Sequence, residues 1–443
     1  MKRIFTFSLA AALCAAATAE ELKVLSCGLG IPGKDEPQLM LLSISPNGKY
    51  ACGAIEIGDG VFIANLETNE VKFNVPDLLD DDGTSLRRVD NNGLSIGFCA
   101  DYALMWQFED AMPYYLFGME GTRGLLGEAL TNDGSMLVGS ILESDTNAAF
   151  STDGGEVWNR LPMPPEEEVL KLLKVMPQIS SAKRVSGDGK VILGCVGSFT
   201  LPCLWLMNDE GEFVPDLFPV RYVKLSEADL DNDERPLVGL SASYIALSNN
   251  GRYVAFLGII IKNGQDTLVP VVYDIQTKSL NVYSETQEID VTGEGLYPSA
   301  VSDDGTFIGT IGMPLHGSFG SFIMKAGETQ AETFSDAFPE FLERYGQSDF
   351  YGFNCPTAMS ADGRYISGYT FYSDDYYDQS TPGYYESYVI DRGAEVGAVD
   401  RLTYDSKNHQ AIYSIDGRSM RGLTKGLNIV RNADGTVSKI LKK

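Results

Sequence analysis

Tyrosine and acidic side chains are concentrated in one stretch near the end of the chain, residues 371–386. This stretch contains Tyr372, Asp374, Asp375, Tyr376, Tyr377, Tyr384 and Tyr385. A tyrosine offers a flat apolar face and a hydroxyl group, so the cluster is suited to stacking on sugar rings or gripping a peptide. The carboxylates could instead serve as the acid and base of a glycosidase. A loop that is only packed or exposed is the third interpretation.

The chain contains only two histidines, His316 and His409. A lyase built on several metal-binding histidines, or a Ser-His-Asp hydrolase, is therefore disfavoured. His316 stands next to Gly317 in a predicted surface loop, where a general base and an ordinary hydrogen-bonded histidine are both open interpretations.

Three aspartates, Asp229, Asp231 and Asp233, alternate in the manner of a calcium-binding loop, in which oxygen ligands converge on a hard cation. An EF-hand is excluded, because Glu234 stands where that loop needs glycine and Leu240 where it needs glutamate. A looser calcium site and a solvated acidic loop remain as alternatives, and calcium is the one cofactor that the sequence suggests.

These residues lie within a chain dominated by one repeated hairpin. Seven Ser/Thr/Asp-x-Asn/Asp-Gly turns end in glycines at positions 48, 93, 134, 189, 251, 305 and 363. Each glycine is followed by an apolar strand, and the following turns mark two more strands, as after Gly251 over 253–261, 269–275 and 279–283. Four antiparallel strands at a period of 41–62 residues predict an all-β, seven-bladed β-propeller over residues 20–400.

The repeat also predicts how blades pack and close. Apolar residues after the turn glycine should pack between blades, namely Ala51, Ile96, Leu137, Ile192 and Ile366. Glycines within the second strand should relieve crowding where neighbouring sheets approach closely, namely Gly53, Gly97, Gly139, Gly194, Gly309 and Gly368. A spare strand at 23–27 should complete the last blade, because ring closure leaves no terminal blade exposed.

Strand order sorts the loops into two faces. The repeated hairpins share one face, and the variable loops share the other, where propellers usually carry function. Three variable loops stand out: 162–182, with a helix predicted after Pro165, 217–243 with the three alternating aspartates, and 371–386 with the tyrosines.

The N-terminus, residues 1–19, has the charged, apolar and small-residue order of a signal peptide, so we expect an exported protein. No later apolar run is long enough to span a membrane. A net charge of −27 argues against nucleic acid as a partner. Export permits disulfides, and Cys195 and Cys203, which flank a short loop, form the one pair that the sequence suggests.

The pattern changes at the C-terminus. Residues 401–443 contain short predicted strands at 411–415, 427–430 and 437–441 and are expected to form a separate small β module.

Three resemblances follow from these motifs. The S-x-D-G turn followed by a strand ending in glycine resembles the HAF-type extracellular repeats of bacterial secreted β-propellers. Ser151 to Trp158 resembles the Asp-box of sialidase-type propellers, which is a turn-stabilising device. The tail, with Ile412-Tyr413, Asp416-Gly417-Arg418 and Lys425-Gly426-Leu427, resembles the C-terminal sorting domain of type IX secretion substrates, although Asn428 stands where family members often have tyrosine. That last resemblance implies contact with secretion machinery and delivery to the cell surface; a module that only caps the propeller is the alternative.

Together these features favour an exported, non-enzymatic propeller that presents a binding surface for a glycan, peptide or protein. The alternatives are a propeller glycoside hydrolase or lyase that uses Asp and Glu of the variable face, and a purely structural surface protein.

Overall fold

The computed structural model describes residues 21–25, 38–55, 60–75, 83–118, 120–173, 176–197, 201–217, 245–262, 265–283, 296–311, 320–341, 351–373 and 383–393, and four strands between 411 and 442. The chain forms two compact units, Met1–Gly393 and Ala394–Lys443.

The first unit is an all-β, seven-bladed β-propeller, as the repeat predicted, and each blade is a four-stranded antiparallel sheet. After β1 (Glu21–Leu25), six blades follow in chain order, each running from the inner strand outward. Blades 1 to 3 comprise β2 (Leu39–Ile44), β3 (Tyr50–Ile55), β4 (Gly60–Asn65), β5 (Glu70–Asn74); β6 (Thr84–Val89), β7 (Leu94–Cys99), β8 (Tyr102–Gln107), β9 (Tyr114–Leu116); and β10 (Gly124–Leu130), β11 (Leu137–Leu142), β12 (Thr146–Ser151), β13 (Asn159–Arg160).

The remaining blades repeat this order. Blades 4 to 6 comprise β14 (Ser180–Val185), β15 (Val191–Val196), β16 (Leu201–Met207), β17 (Phe213–Asp216); β18 (Ile245–Leu247), β19 (Tyr253–Lys262), β20 (Gln265–Asp274), β21 (Ser279–Val282); and β22 (Leu296–Val301), β23 (Phe307–Ile311), β24 (Gly320–Met324), β25 (Glu332–Thr333). Blade 7 comprises β26 (Tyr351–Met359), β27 (Tyr365–Ser373) and β28 (Gly383–Asp391), with β1 as its outer strand.

Ring closure joins the two ends of the propeller sequence. β1 pairs antiparallel with β28 from Glu21 opposite Asp391 to Leu25 opposite Ser387. The predicted closing strand is therefore confirmed, two residues earlier than expected. Ser387 also fastens blade 7 to blade 1, because its hydroxyl donates to the Leu39 carbonyl at 2.6 Å and accepts from the Leu41 amide at 2.8 Å.

The repeated hairpin is held by its own side chains. In blade 7 the Ser360 hydroxyl donates to the Asp362 carboxylate at 2.7 Å, and that carboxylate accepts the Arg364 amide at 3.0 Å. The turn glycine Gly363 has φ of +72°, a left-handed conformation that glycine adopts without strain. The aspartate is thus a turn residue, as its repetition indicated.

The hairpin tips are joined to one another in a closed ring, which we call the collar. Each tip donates backbone or side-chain hydrogen bonds to the next blade. The donor and acceptor residues are Asn47 to Asn91, Asn91 to Asn132, Asn132 to Gly187, Gly187 to Asn249, Asn250 to Asp303, Asp303 to Ala361, and Ala361 to Pro46. All seven blades are therefore linked at this face by polar contacts.

The apolar core lies between the blades rather than inside them. Seven buried clusters each combine residues of two neighbouring blades, as where Ala358 and Val389 of blade 7 pack on Leu41 and Ile55 of blade 1. The predicted inter-blade residues Ala51, Ile96, Leu137, Ile192 and Ile366 are all buried. Burial on both faces of each sheet explains why the strands are nearly continuous in apolar residues.

The predicted disulfide between Cys195 and Cys203 is wrong. In the pairing of β15 with β16, Cys195 lies opposite Pro202 and Cys203 lies opposite Gly194. Because side chains alternate between the faces of a sheet, the two thiols point into different cores: Cys195 packs between blades 4 and 5, and Cys203 between blades 3 and 4. Among the described residues, Cys52, Cys99, Cys195, Cys203 and Cys355 take part in no disulfide.

Two short helices accompany the strands. α1 (Glu166–Leu173) begins where a helix was predicted, with three glutamates in its first turn, and α2 (Phe334–Ala337) is capped by the Thr333 side chain. No helix in the described ranges has the length and apolar character needed to cross a bilayer.

The second unit contains one antiparallel sheet of β29 (Ala411–Ser414), β30 (Ser419–Met420), β31 (Gly426–Arg431) and β32 (Val437–Lys442), in the order β30-β29-β31-β32.

Candidate functional site

Two blades project on the face opposite the collar. The second and third strands of blade 5 contain 10 residues each, and those of blade 7 contain nine. The corresponding described strands of the other blades contain five to seven. At roughly 3.3 Å per residue, three additional residues extend a hairpin by about 10 Å. The hairpins of blades 5 and 7 therefore stand out from this face on either side of blade 6.

Part of the tyrosine-rich stretch belongs to the blade 7 hairpin rather than to a loop. β27 continues to Ser373 and β28 begins at Gly383, so the expected loop at 371–386 is shorter at both ends. Tyr372 lies directly opposite Tyr384 in the register. Aromatic residues favour strands, and this preference accounts for the longer hairpin.

Tyr385 lies at the joint between blades 7 and 1. Its amide donates to the Gln38 side chain at 2.8 Å, and its ring meets that of Tyr369 edge-on, with centroids 6.0 Å apart. Burial raises the pKa of the Tyr369 hydroxyl well above its usual range, and burial likewise raises the pKa of the neighbouring Cys355 thiol to about 11. Both groups are therefore neutral at physiological pH.

The other predicted site residues lie outside the described residues. These are Asp374, Asp375, Tyr376, Tyr377, His316, Asp229, Asp231 and Asp233. Within the described part of the chain, no three His, Cys, Asp or Glu side chains are grouped so that they could hold a metal ion.

The turn at Ser151 to Trp158 has a structural arrangement. The Asp153 carboxylate accepts the Ser151 hydroxyl at 2.7 Å and the Val157 amide at 3.0 Å, and the buried Trp158 indole donates to the Gly155 carbonyl at 3.1 Å. Its polar groups are thus used within the turn.

The inner strands surround a central channel, and their pairing with the second strands contains an irregularity. Six inner strands skip one residue in register, as between Leu86 and Arg88 in β6 and between Ala182 and Arg184 in β14. The strand glycines permit this bulge. A Cβ atom at Gly97 would lie 1.9 Å from the Ser85 carbonyl oxygen, and one at Gly194 would lie 1.9 Å from that of Ser181. The predicted crowding is therefore present, but it lies between neighbouring strands of one blade at the bulge and not where two sheets approach each other.

One residue of every blade lies around the channel, five positions before each turn glycine, and in six blades it directly follows the bulge. This ring consists of Ser43, Arg88, Ala129, Arg184, Ala246, Ala300 and Ala358. Together with the next residue of each strand, the ring lines a cavity of about 100 Å³ at the collar end of the channel. Asn132 and Asn249 of the collar also line it. Small side chains in five blades leave the space into which two arginines project.

Charge in the inner strands is confined to blades 2, 3 and 4. It consists of Arg87, Arg88, Glu128, Lys183 and Arg184. Glu128 is 6% exposed and forms an ion pair with Lys183. Four cationic groups thus face one carboxylate, inside a protein whose net charge is −27.

Arg88 and Arg184 have only carbonyl oxygens as hydrogen-bond acceptors among the described residues. Arg88 donates to the Arg87 carbonyl at 2.6 Å and to the Leu42 carbonyl at 3.4 Å, and Arg184 donates to the Lys183 carbonyl at 2.8 Å. Burial lowers the pKa of Arg88 to about 10, and burial together with the charge of Arg88 lowers the pKa of Arg184 well below its ordinary value. Two neighbouring guanidinium groups therefore share a poorly solvated space.

Sequence reasoning did not identify this cluster, although a signal was present. Arg87-Arg88-Val89 and Lys183-Arg184-Val185 occupy the same offset from their turn glycines in blades 2 and 4. Residues at the same offset in different blades lie in one ring around the axis. Basic pairs at such positions in otherwise apolar strands therefore indicate that both pairs lie at the same level of the channel.

Comparison with known proteins gives no relative in sequence. No family model matches the chain, and no curated protein matches it.

Solved structures resemble it in architecture only. An oligogalacturonate lyase in complex with manganese is 9% identical, with 85% of this chain and 98% of that chain covered and a TM-score of 0.49. The β-propeller domain of the trilobed protease from Pyrococcus furiosus is 11% identical, with coverages of 83% and 99% and a TM-score of 0.43. TolB from Acinetobacter baumannii is 12% identical, with a TM-score of 0.39; the match covers 67% of this chain and spans less than two thirds of TolB, 62%.

Proposed function

We propose that this chain is an exported, non-enzymatic β-propeller that presents a binding surface for a glycan, peptide or protein on the face opposite the collar. The observation that carries the proposal is the projecting hairpin of blade 7, in which Tyr372 lies opposite Tyr384. Tyrosine is enriched in binding hot spots because it combines large contact area with a hydroxyl group.

The hairpin is a suitable platform because its base is fixed. Tyr388 is fully buried and donates its hydroxyl to the Asn354 side chain at 2.8 Å, and Ser387 holds the same strand to blade 1. A binding surface on rigid strands loses less conformational entropy when a ligand binds than one on a free loop. Residues 374–377, which follow this strand in the sequence, supply further tyrosines and carboxylates as candidate ligand contacts.

Export is part of the proposal and depends on sequence features. The signal-peptide pattern at 1–19 and the sorting-domain resemblance of 401–443 support delivery to the cell surface through secretion machinery. A calcium ion held by Asp229, Asp231 and Asp233 remains a proposal of the same kind.

A binding screen with a hydrolysis readout tests the function. The protein is applied to glycans, acidic polysaccharides and peptides, and both retention and product release are measured. We expect saturable binding without turnover. Tyr372→Ala and Tyr384→Ala should weaken it at least about tenfold, the typical effect of truncating a hot-spot aromatic residue.

Tyr114→Ala is the matched control, because Tyr114 is an exposed strand tyrosine in the outer strand of blade 2. It should leave affinity unchanged. Product release by the wild-type protein would favour the hydrolase or lyase alternative, and absence of any binding would favour a purely structural role.

A further inference from the structure

We propose that the collar end of the central channel is a binding site for an oxyanion, a carboxylate or phosphate group, held by Arg88, Arg184 and the hydroxyl of Ser43. The site is independent of the proposed function, because it lies at the opposite face from the blade 7 hairpin. The three residues occupy one ring of the channel, in blades 2, 4 and 1.

Unused donors support an anionic occupant. The buried Ser43 hydroxyl has no hydrogen-bond partner among the described residues, and neither does the buried Arg87 Nε atom at the adjacent position. Each guanidinium carries five N–H donors, while the described acceptors of Arg88 and Arg184 number two carbonyls and one. Buried polar groups are normally satisfied, so this surplus of donors indicates a ligand that accepts hydrogen bonds.

Charge leads to the same ligand class. No described carboxylate lies within ion-pair distance of Arg88 or Arg184, and Glu128 is bound to Lys183. Burying like charges together is unfavourable unless an opposite charge compensates them. A guanidinium matches the two oxygens of a carboxylate or phosphate in geometry and charge, whereas a neutral ligand would leave the repulsion unrelieved.

Size and surroundings limit the occupant. The cavity of about 100 Å³ has room for a small oxyanion or for the terminal group of a larger acid that enters through the collar. Alanines in four blades make the rest of the ring small and uncharged. The acidic exterior disfavours unspecific anion binding elsewhere, so saturable anion binding would be attributable to the channel.

The test measures binding of sodium acetate and of inorganic phosphate to the full-length protein by calorimetry, at constant ionic strength with chloride as the reference. We expect saturable binding of at least one oxyanion. The relative affinities for acetate and for phosphate show whether the site prefers a carboxylate or a phosphate group. Arg88→Met and Arg184→Met should each weaken it at least about tenfold, the value of a charge-assisted hydrogen bond. Ser43→Ala should weaken it about threefold or more.

Arg88→Lys and Arg184→Lys keep the charge and lose the planar fork, so they carry the test if a methionine variant does not fold, and should still weaken binding severalfold. Arg123→Met, which removes an exposed arginine of blade 3, is the control and should bind as wild type does. The proposal is overturned if neither oxyanion binds saturably, or if binding survives unchanged in the Arg88 and Arg184 variants.

Discussion

The collar contains one joint between blades whose stability should depend on pH, and replacing an aspartate of this joint by asparagine tests the dependence. At the joint of blades 5 and 6, the Asp303 carboxylate accepts the Asn250 amide at 2.7 Å. At the joint of blades 1 and 2, the Asn91 side chain accepts the Asn47 amide at 2.9 Å in the same geometry. Burial raises the pKa of Asp303 from 3.8 to about 6, despite hydrogen bonds that favour its charged form. Asp303→Asn should therefore keep the joint and remove an unfavourable buried charge.

The size of the effect follows from linkage. Because the folded-state pKa lies above the unfolded value, the native state holds the proton more tightly, so stability is lost as pH rises from about 4 to about 6. Two pKa units correspond to about 3 kcal/mol at most. Partial contact of the carboxylate with water reduces this to about 1–2 kcal/mol. Asp303→Asn should be more stable than the wild-type protein by that amount at pH 7.5, and the difference should shrink toward zero at pH 4.

Urea unfolding between pH 4 and pH 8, followed by the fluorescence of the three tryptophans, measures the difference. Asn91→Asp is the reciprocal variant and should acquire the same pH dependence at the other joint. Glu109→Gln, which neutralises an exposed carboxylate, corrects for the change in net charge. Parallel stability profiles for Asp303→Asn and wild type across this range would refute the reasoning.

Two further predictions concern the strand glycines and the thiols. Gly97→Ala places a Cβ atom 1.9 Å from the Ser85 carbonyl oxygen, so it should lower the free energy of unfolding by about 2 kcal/mol or more. Gly320→Ala is the control, because its Cβ atom meets only a side-chain atom at 3.4 Å, and it should change the free energy of unfolding by less than about 0.5 kcal/mol. Equal effects of the two variants in urea unfolding would contradict the bulge argument. Cys195 and Cys203 are buried, and burial raises the pKa of both thiols, that of Cys195 to about 11. Both thiols should therefore resist alkylation in the folded protein and react in denaturant without reductant. A mass spectrum showing a disulfide between them would contradict the observed register.

Local pattern was sufficient for the fold. Each turn carries its own Ser, Asp or Asn and Gly, and the strands that follow are apolar on both faces, so the hairpin, the blade and the repeat number could all be predicted from neighbouring residues. The closing strand was predictable for a related reason: one strand precedes the first repeat, and ring closure gives it a place in the last blade.

Which side chains meet in the cores and in the channel could be seen only in the tertiary structure. Cys195 and Cys203 are eight residues apart, yet a one-residue offset in the register places them in different cores. Arg88 and Arg184 are 96 positions apart in the sequence, and the closed ring brings them to one cavity. A single blade could be predicted from the sequence because its strands contact near neighbours in the chain. Which side chains meet in the channel depends on ring closure, which brings together blades that are far apart in the sequence.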